Sequence, residues 1–203
     1  MRKHAFLIVV WGLMLIFAGA TTASSRSEAF KENIFNPGHL KPIDSVLKVK
    51  VGERAPDFTL PSISGEKISL SQYMGKKNVV LSFVPAAWTP VCSDQWPGYN
   101  LIKDVFDQHD AILLGITVDN IPTLFAWTRQ MVPEGEELWF SVLSDFYPHG
   151  AVAEKYGILR SDGVAERAVF VIDKAGVIRY IDVNDINERP SLENLVKELE
   201  KLK

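Results

Sequence analysis

The chain has 203 residues, with 47% hydrophobic and 23% charged residues and a formal charge of −3. That length suits one domain plus a small appendage, with enough chain for a substantial core. A mildly negative chain with no basic stripe or arginine run excludes nucleic acid as an expected partner.

Arg2, Lys3 and His4 precede an uncharged apolar run from Ala5 to Ala20, followed by Thr21-Thr22-Ala23-Ser24-Ser25. A basic start, an apolar stretch and small residues are the three parts of a secretory signal peptide, predicted here over residues 1–23. Cleavage after Ala20 or Ala23 satisfies the small-residue rule, and the protein is then exported, periplasmic or secreted. The alternative is a retained anchor over residues 5–20, a run short of the roughly 20 apolar residues a span needs. Loss of Arg2 and Lys3 takes the formal charge from −3 to −5. Residues 24–50 are polar and mixed, with a turn at Asn36-Pro37-Gly38. They read as a linker, or as an extension lying against a domain that spans 51–203.

From Val51 the pattern tightens. Ala55-Pro56-Asp57-Phe58-x-Leu60-Pro61, then Gly65 and Ile68-Ser69-Leu70-Ser71, predicts two short strands joined by a turn. Gly75-Lys76-Lys77 leads into an apolar β-type run, Asn78 to Phe83. It enters Val84-Pro85-Ala86-Ala87-Trp88-Thr89-Pro90-Val91-Cys92, which holds the only cysteine of the chain. Thr89 followed by Pro90 predicts a helix start, with Thr as N-cap and Pro at the first helical position. Cys92 then falls in the first turn, where free N–H groups and the macrodipole favour an anion. Those are the conditions that turn a thiol into a thiolate nucleophile. A lone cysteine in an exported chain also implies an intermolecular disulfide or a free reactive thiol. The bland reading, a small buried hydrophobe, stands beside this one.

Beyond Cys92, Pro97-Gly98 predicts a break or kink, and Leu101, Ile102, Val105 and Phe106 resume helical spacing. Ala111 to Val118 reads as a buried strand. Asp119 or Asn120 can cap a helix carrying Leu124, Trp127, Thr128 and Met131. Leu138 to Leu143 reads as a strand, and Ala151 to Tyr156 as a short helix stopped by Gly157. Ala168–Ile172 and Val177–Val183 flank Asp173-Lys174-Ala175-Gly176, a hairpin signal. A last helix from Ser191 aligns Leu192, Leu195, Val196, Leu199 and Leu202. Strands alternating with helices predict an α/β fold, a central sheet with helices on both faces.

Pro85-x-x-x-Thr89-x-x-Cys92 resembles the signature of the peroxiredoxins, the alkyl hydroperoxide reductase and thiol-specific antioxidant type of peroxidase. Two more stretches are similar to that family: Leu143-Ser144-Asp145-Phe146-Tyr147-Pro148-His149-Gly150 and Glu166-Arg167-Ala168-Val169-Phe170-Val171-Ile172-Asp173. The resemblance runs colinearly from about Val51 to Lys203. It implies a thioredoxin-like fold with a central mixed sheet, and an antioxidant oxidoreductase that reduces hydrogen peroxide or organic hydroperoxides. The catalytic residues it implies are Cys92, Thr89, Pro85 and Arg167. Cys92 attacks and becomes a sulfenic acid, Arg167 stands beside the sulfur, Thr89 positions the peroxide and Pro85 closes the pocket. Without a second cysteine, the one-cysteine mode follows, in which an external thiol, a thioredoxin-like protein or a small thiol, finishes the cycle. A homodimer is a further possibility that the resemblance carries.

Neighbouring residues are assigned less active roles. Gln95, at a position where many members of the resembled family have Glu, reads as a helix-surface residue, the alternative being a hydrogen bond near Arg167; Glu166 reads as a candidate ion-pair partner for Arg167, and His149 as part of its turn rather than a dyad partner of Cys92. Trp88, Phe83 and Trp127 read as core or pocket wall. No His-x-x-x-His spacing calls for a metal, and nothing calls for a cofactor. Thr89 and Gln95 occupy the positions where Cys-x-x-Cys exchange chemistry would need cysteine, and Trp96 the one copper delivery would need. The remaining alternative is a non-enzymatic binding or scaffold module with an unreactive Cys92.

Overall fold

The computed structural model describes residues 30–133 and 135–202, so the expected signal peptide and the alternative anchor at 5–20 lie outside the described residues. Residues 1–34 and 35–203 separate into two compact units, and of the first only the short segment from Phe30 is described, beginning as helix.

The second unit opens with a segment that lacks regular structure to residue 53. Strands β1 (Thr59–Pro61) and β2 (Lys67–Ser69) then pair antiparallel. A 3-10 turn at Leu70–Tyr73 leads to β3 (Asn78–Phe83), α1 (Pro90–Gly98) and α2 (Lys103–Gln108). The chain continues through β4 (Ala111–Thr117), α3 (Ile121–Thr128), β5 (Ser141–Ser144) and α4 (Ala151–Tyr156). It closes with β6 (Arg167–Ile172), β7 (Ile178–Asn184) and α5 (Leu192–Glu200). The main sheet has the order β5-β4-β3-β6-β7, with β3 parallel to β4 and antiparallel to β6. The predicted α/β architecture with a central mixed sheet is therefore present.

Every residue of β3 and β6 is buried, as expected for strands covered on both faces. The period of two divides their side chains between two layers. Val79, Leu81 and Phe83 join Phe170, Tyr156, Leu60 and Ile68 in one core cluster. Phe83 and Tyr156 pack on Phe170 with ring centroids 5.9 and 4.9 Å away. Across the sheet, Trp96 of α1 lies 5.0 Å from Trp127 of α3 and 5.9 Å from Phe140. Gly115 of β4 makes room for that layer, since a Cβ there would meet Trp96 Cζ2 at 2.8 Å. Burying each such side chain contributes about 1.5–3 kcal/mol.

Several elements differ from expectation. Helix α1 runs through Pro97 to Gly98 and only then tightens into a 3-10 turn, Tyr99–Ile102. Pro97 removes one ladder donor, but the burial of Trp96 and Tyr99 holds the helix on course. Leu101, expected on the apolar face, is 83% exposed. Strand β5 begins at Ser141 rather than Leu138, because its pairing with β4 starts at Leu114 opposite Ser141. Trp139 and Phe140, just before the strand, pack edge-on against Phe106 and Trp96. Asn120, not Asp119, caps α3, its Oδ1 accepting from Thr123 N at 3.0 Å, and Met131 falls beyond that helix.

Candidate active site

The site is assembled by sheet register. Phe83, the last residue of β3, pairs with Ala168, so Arg167 at the start of antiparallel β6 stands beside the point where β3 ends. From there the chain turns through residues 84–89 into α1. Val84 N donates to Ile116 O at 3.0 Å, and Ala87 N donates to Asp119 Oδ2 at 2.8 Å. Thr117 Oγ1 donates to the same carboxylate oxygen at 2.6 Å. Asp119, weighed from the sequence as a helix cap, is instead a brace under this loop. Trp88 closes the turn with φ at 61°, a left-handed conformation costing a bulky residue about 1–2 kcal/mol.

Thr89 takes the N-cap backbone conformation and Pro90 the first helical position, as predicted, but the threonine hydroxyl makes no capping bond. It donates to Ala86 O at 3.0 Å, which commits its hydrogen and leaves its oxygen as an acceptor. Cys92 lies in the first turn of α1 and is fully buried. Arg167 Nη2 lies 3.4 Å from Cys92 Sγ. Cys92 and Arg167, far apart in sequence, are thus direct neighbours. Pro85, Thr89 and Arg167 all line one pocket of about 660 Å³.

Gln95 follows the second of its two sequence readings, the hydrogen bond near Arg167. It is 4% exposed, not a helix-surface residue, and its Oε1 accepts from Arg167 Nη1 at 2.6 Å. Its Nε2 donates to Ser82 Oγ at 3.1 Å and to Tyr99 Oη at 3.2 Å. Burial pushes the Tyr99 hydroxyl up, against the bonds from Ser82 and Gln95, so it stays protonated. The available signal was spacing: three residues after Cys92 on a helix lies on the same side. Ile186 O, which accepts from Arg167 Nε at 3.2 Å and Nη2 at 3.0 Å, has no side-chain signature at all.

Glu166 corrects the sequence reading. It does not pair with Arg167 but accepts from Arg160 Nη1 at 2.8 Å, both side chains being buried. Adjacent strand residues point to opposite faces, which separates Glu166 from Arg167. Burial works against the Arg160 charge, and Glu166 and Asp162 more than offset it, so its pKa is raised. His149 bonds Gly163 O at 2.7 Å, a link between loops. Phe83 and Trp127 are core, and Trp127 Nε1 donates to Ser93 Oγ at 3.0 Å.

The electrostatic consequence is specific. Among the described residues, every hydrogen-bond partner of Arg167 is neutral except a Cys92 sulfur in its thiolate form. A buried cation without a hydrogen-bonded counter-ion is costly, and Cys92 Sγ at 3.4 Å is the one of these partners able to take a negative charge. The field of the guanidinium also reaches Asp185, held below the usual carboxylate range first by Asn187 and then, more weakly, by His39 and Arg167.

The AhpC/TSA family model matches residues 51–181. Alkyl hydroperoxide reductase E of Mycobacterium tuberculosis is 36% identical over 141 residues, covering 69% of this chain and 89% of that protein. The chloroplastic 2-cysteine peroxiredoxin of Chattonella marina var. antiqua is 31% identical over 159 residues, 76% and 80% of the two chains. The crystal structure of reduced Plasmodium vivax 2-Cys peroxiredoxin superposes with a TM-score of 0.68 at 27% identity, covering 75% of this chain and 81% of that one. The thioredoxin-like fold, the buried cysteine beside its arginine and these likenesses agree, and the chain belongs to the AhpC/TSA family of peroxiredoxins, the thiol-dependent peroxidases.

Proposed function

We propose that this is an exported one-cysteine peroxidase that reduces hydrogen peroxide or organic hydroperoxides through Cys92 and is recycled by an external thiol. The observation that carries the chemistry is Arg167 Nη2 at 3.4 Å from Cys92 Sγ with otherwise neutral partners. The thiolate attacks one peroxide oxygen, the S–O bond forms as the O–O bond breaks, and the leaving oxygen takes a proton to depart as water or an alcohol. Cys92 is left as a sulfenic acid, oxidised by two electrons. Arg167 orients the peroxide and offsets charge moving onto the leaving oxygen. Thr89 Oγ1, its hydrogen held by Ala86 O, accepts from the peroxide proton. Pro85, buried at the pocket wall, keeps water from the oxidised sulfur.

Cys92 is the sole cysteine, so a thioredoxin-like protein or a small thiol must supply the second sulfur. Export rests on the basic, apolar and small-residue order of residues 1–23. A homodimer belongs to the same reading, and sedimentation of the purified protein tests it. A scaffold module would have no use for a buried guanidinium aimed at its only thiol. Intact-mass measurement after one equivalent of hydrogen peroxide should show one added oxygen on Cys92 and no intramolecular disulfide. An unmodified thiol sinks the peroxidase reading, and a mature protein that retains Met1 sinks export.

A further inference from the structure

The family match begins at residue 51, yet the active-site pocket does not end there. Residues 35–40 line it together with Pro85, Thr89 and Arg167. That arm is fastened rather than merely adjacent. Phe35 N donates to Trp88 O at 2.7 Å, on the cysteine loop itself. Asn187 clasps Leu40 twice, with Oδ1 accepting from Leu40 N at 2.9 Å and Nδ2 donating to Leu40 O at 2.9 Å. Ile186 N donates to Pro42 O at 3.1 Å, while the carbonyl of that same Ile186 holds Arg167.

Further along, the buried pair of Arg160 and Glu166 serves as an anchor plate. Glu166 Oε1 accepts from Asp44 N at 2.6 Å, and Arg160 Nη2 donates to Lys41 O at 2.9 Å. The Asp44 carboxylate accepts from Ser161 N at 3.2 Å and from the Ser161 hydroxyl. The Asp44 carboxyl is held well below its usual range by Lys41 first and Ser161 second.

The pocket so lined, a cleft open to solvent, is far larger than the peroxide group needs. At about 660 Å³ it is in the range of sites for organic ligands, roughly 300–1,000 Å³, whereas one water occupies about 30 Å³. Its polar end is Arg167 and Thr89. Asn36, His39, Asp162 and Asn187 add polar groups to the lining, but most of the exposed wall is apolar, with Pro37, Leu40, Val91, Val164 and Ile186 among its residues. We propose that the arm of residues 35–44 is a specificity element, which holds the apolar substituent of an organic hydroperoxide while the peroxide group sits at Arg167. This deepens the peroxidase reading above and rests on it.

The test is a pair of stopped-flow rate constants for Cys92 oxidation, with hydrogen peroxide and with a long-chain fatty-acid hydroperoxide. The wild type should favour the fatty-acid hydroperoxide. Leu40→Asp, which puts a charge on the apolar wall, should lower the ratio of the two constants about ten- to a hundredfold. Leu40→Trp, which fills the same space without a charge, should lower it in the same direction. Asp44→Ala, outside the pocket, should lower the ratio less by loosening the arm. A wild type that reacts with hydrogen peroxide but has no preference, or a ratio unmoved by both Leu40 variants, overturns the role of the arm alone. A wild type inert to both peroxides overturns the peroxidase reading and the arm with it.

Discussion

Arg167 is a cation with four hydrogen-bonding contacts and no carboxylate among them, so removing it is more than deleting a charge. Arg167→Met should slow oxidation of Cys92 by peroxide about 10²–10³-fold, the loss expected for one positioned donor to a developing anion. Part of that loss is thiolate population and recovers as pH rises. The remainder is peroxide orientation and does not. Arg167→Lys should recover more of the first part than of the second, because an ammonium lacks the fork. Rates followed across pH separate the two, and a variant that matches wild type once both thiols are ionised removes Arg167 from the orienting role. Gln95 makes a sharper case. Its neutral oxygen holds the guanidinium at 2.6 Å without competing for its charge. Gln95→Glu places an anion there, which disfavours the thiolate and should slow the reaction at neutral pH about tenfold. The deficit should shrink as pH rises; a deficit constant across pH would mean that Gln95 acts only through packing.

At the scale of elements, the turn between α2 and β4 shows how local charge supports the sheet. Asp110 has φ at 50° and accepts ion pairs from Lys77, just before β3, and Lys174, in the β6–β7 turn. Those partners, Lys174 first, bring its pKa from 3.8 to about 2. A carboxylate lowered by folding contributes stability above its ordinary value and loses it as pH falls through the folded value. Asp110→Asn tolerates the left-handed backbone and removes only the charge. The variant should therefore lose stability at neutral pH and converge with wild type once pH falls below about 2, which denaturant titrations at stepped pH will show. A constant offset down to that pH would assign the effect to the turn geometry instead.

The whole molecule explains which parts were readable beforehand. The apolar run Asn78–Phe83, the Pro85, Thr89 and Cys92 spacing, and Arg167 at the head of a strand all carry side-chain patterns, and each element formed where expected. What escaped lacks such a pattern. Helix α1 has almost no apolar periodicity, so only the spacing from Cys92 pointed to Gln95 as inward-facing. Ile186 contributes a carbonyl that any residue would possess. The arm over the pocket is polar and aperiodic in sequence, and much of its hold is through backbone groups of Phe35, Leu40, Lys41, Pro42 and Asp44. The strand that ends at the cysteine loop and the strand that begins at the arginine are direct neighbours at the sheet centre. Cysteine and arginine therefore share one frame, and a one-residue slip between β3 and β6 would turn Arg167 to the opposite face.

The absence of a carboxylate among the hydrogen-bond partners of Arg167 also ties the melting point of the fold to the oxidation state of one sulfur. In the peroxidase cycle proposed above, the sulfur facing the guanidinium is an anion before attack and neutral after it. Conversion of Cys92 to a neutral sulfenic acid withdraws that anion while the cation stays buried. Freshly oxidised protein should therefore melt below the reduced form, by about 2–4 °C for each kcal/mol withdrawn. In Arg167→Met, which has no cation left to strand, the gap should close. Heat alone would then distinguish a reduced population from an oxidised one, with no substrate present.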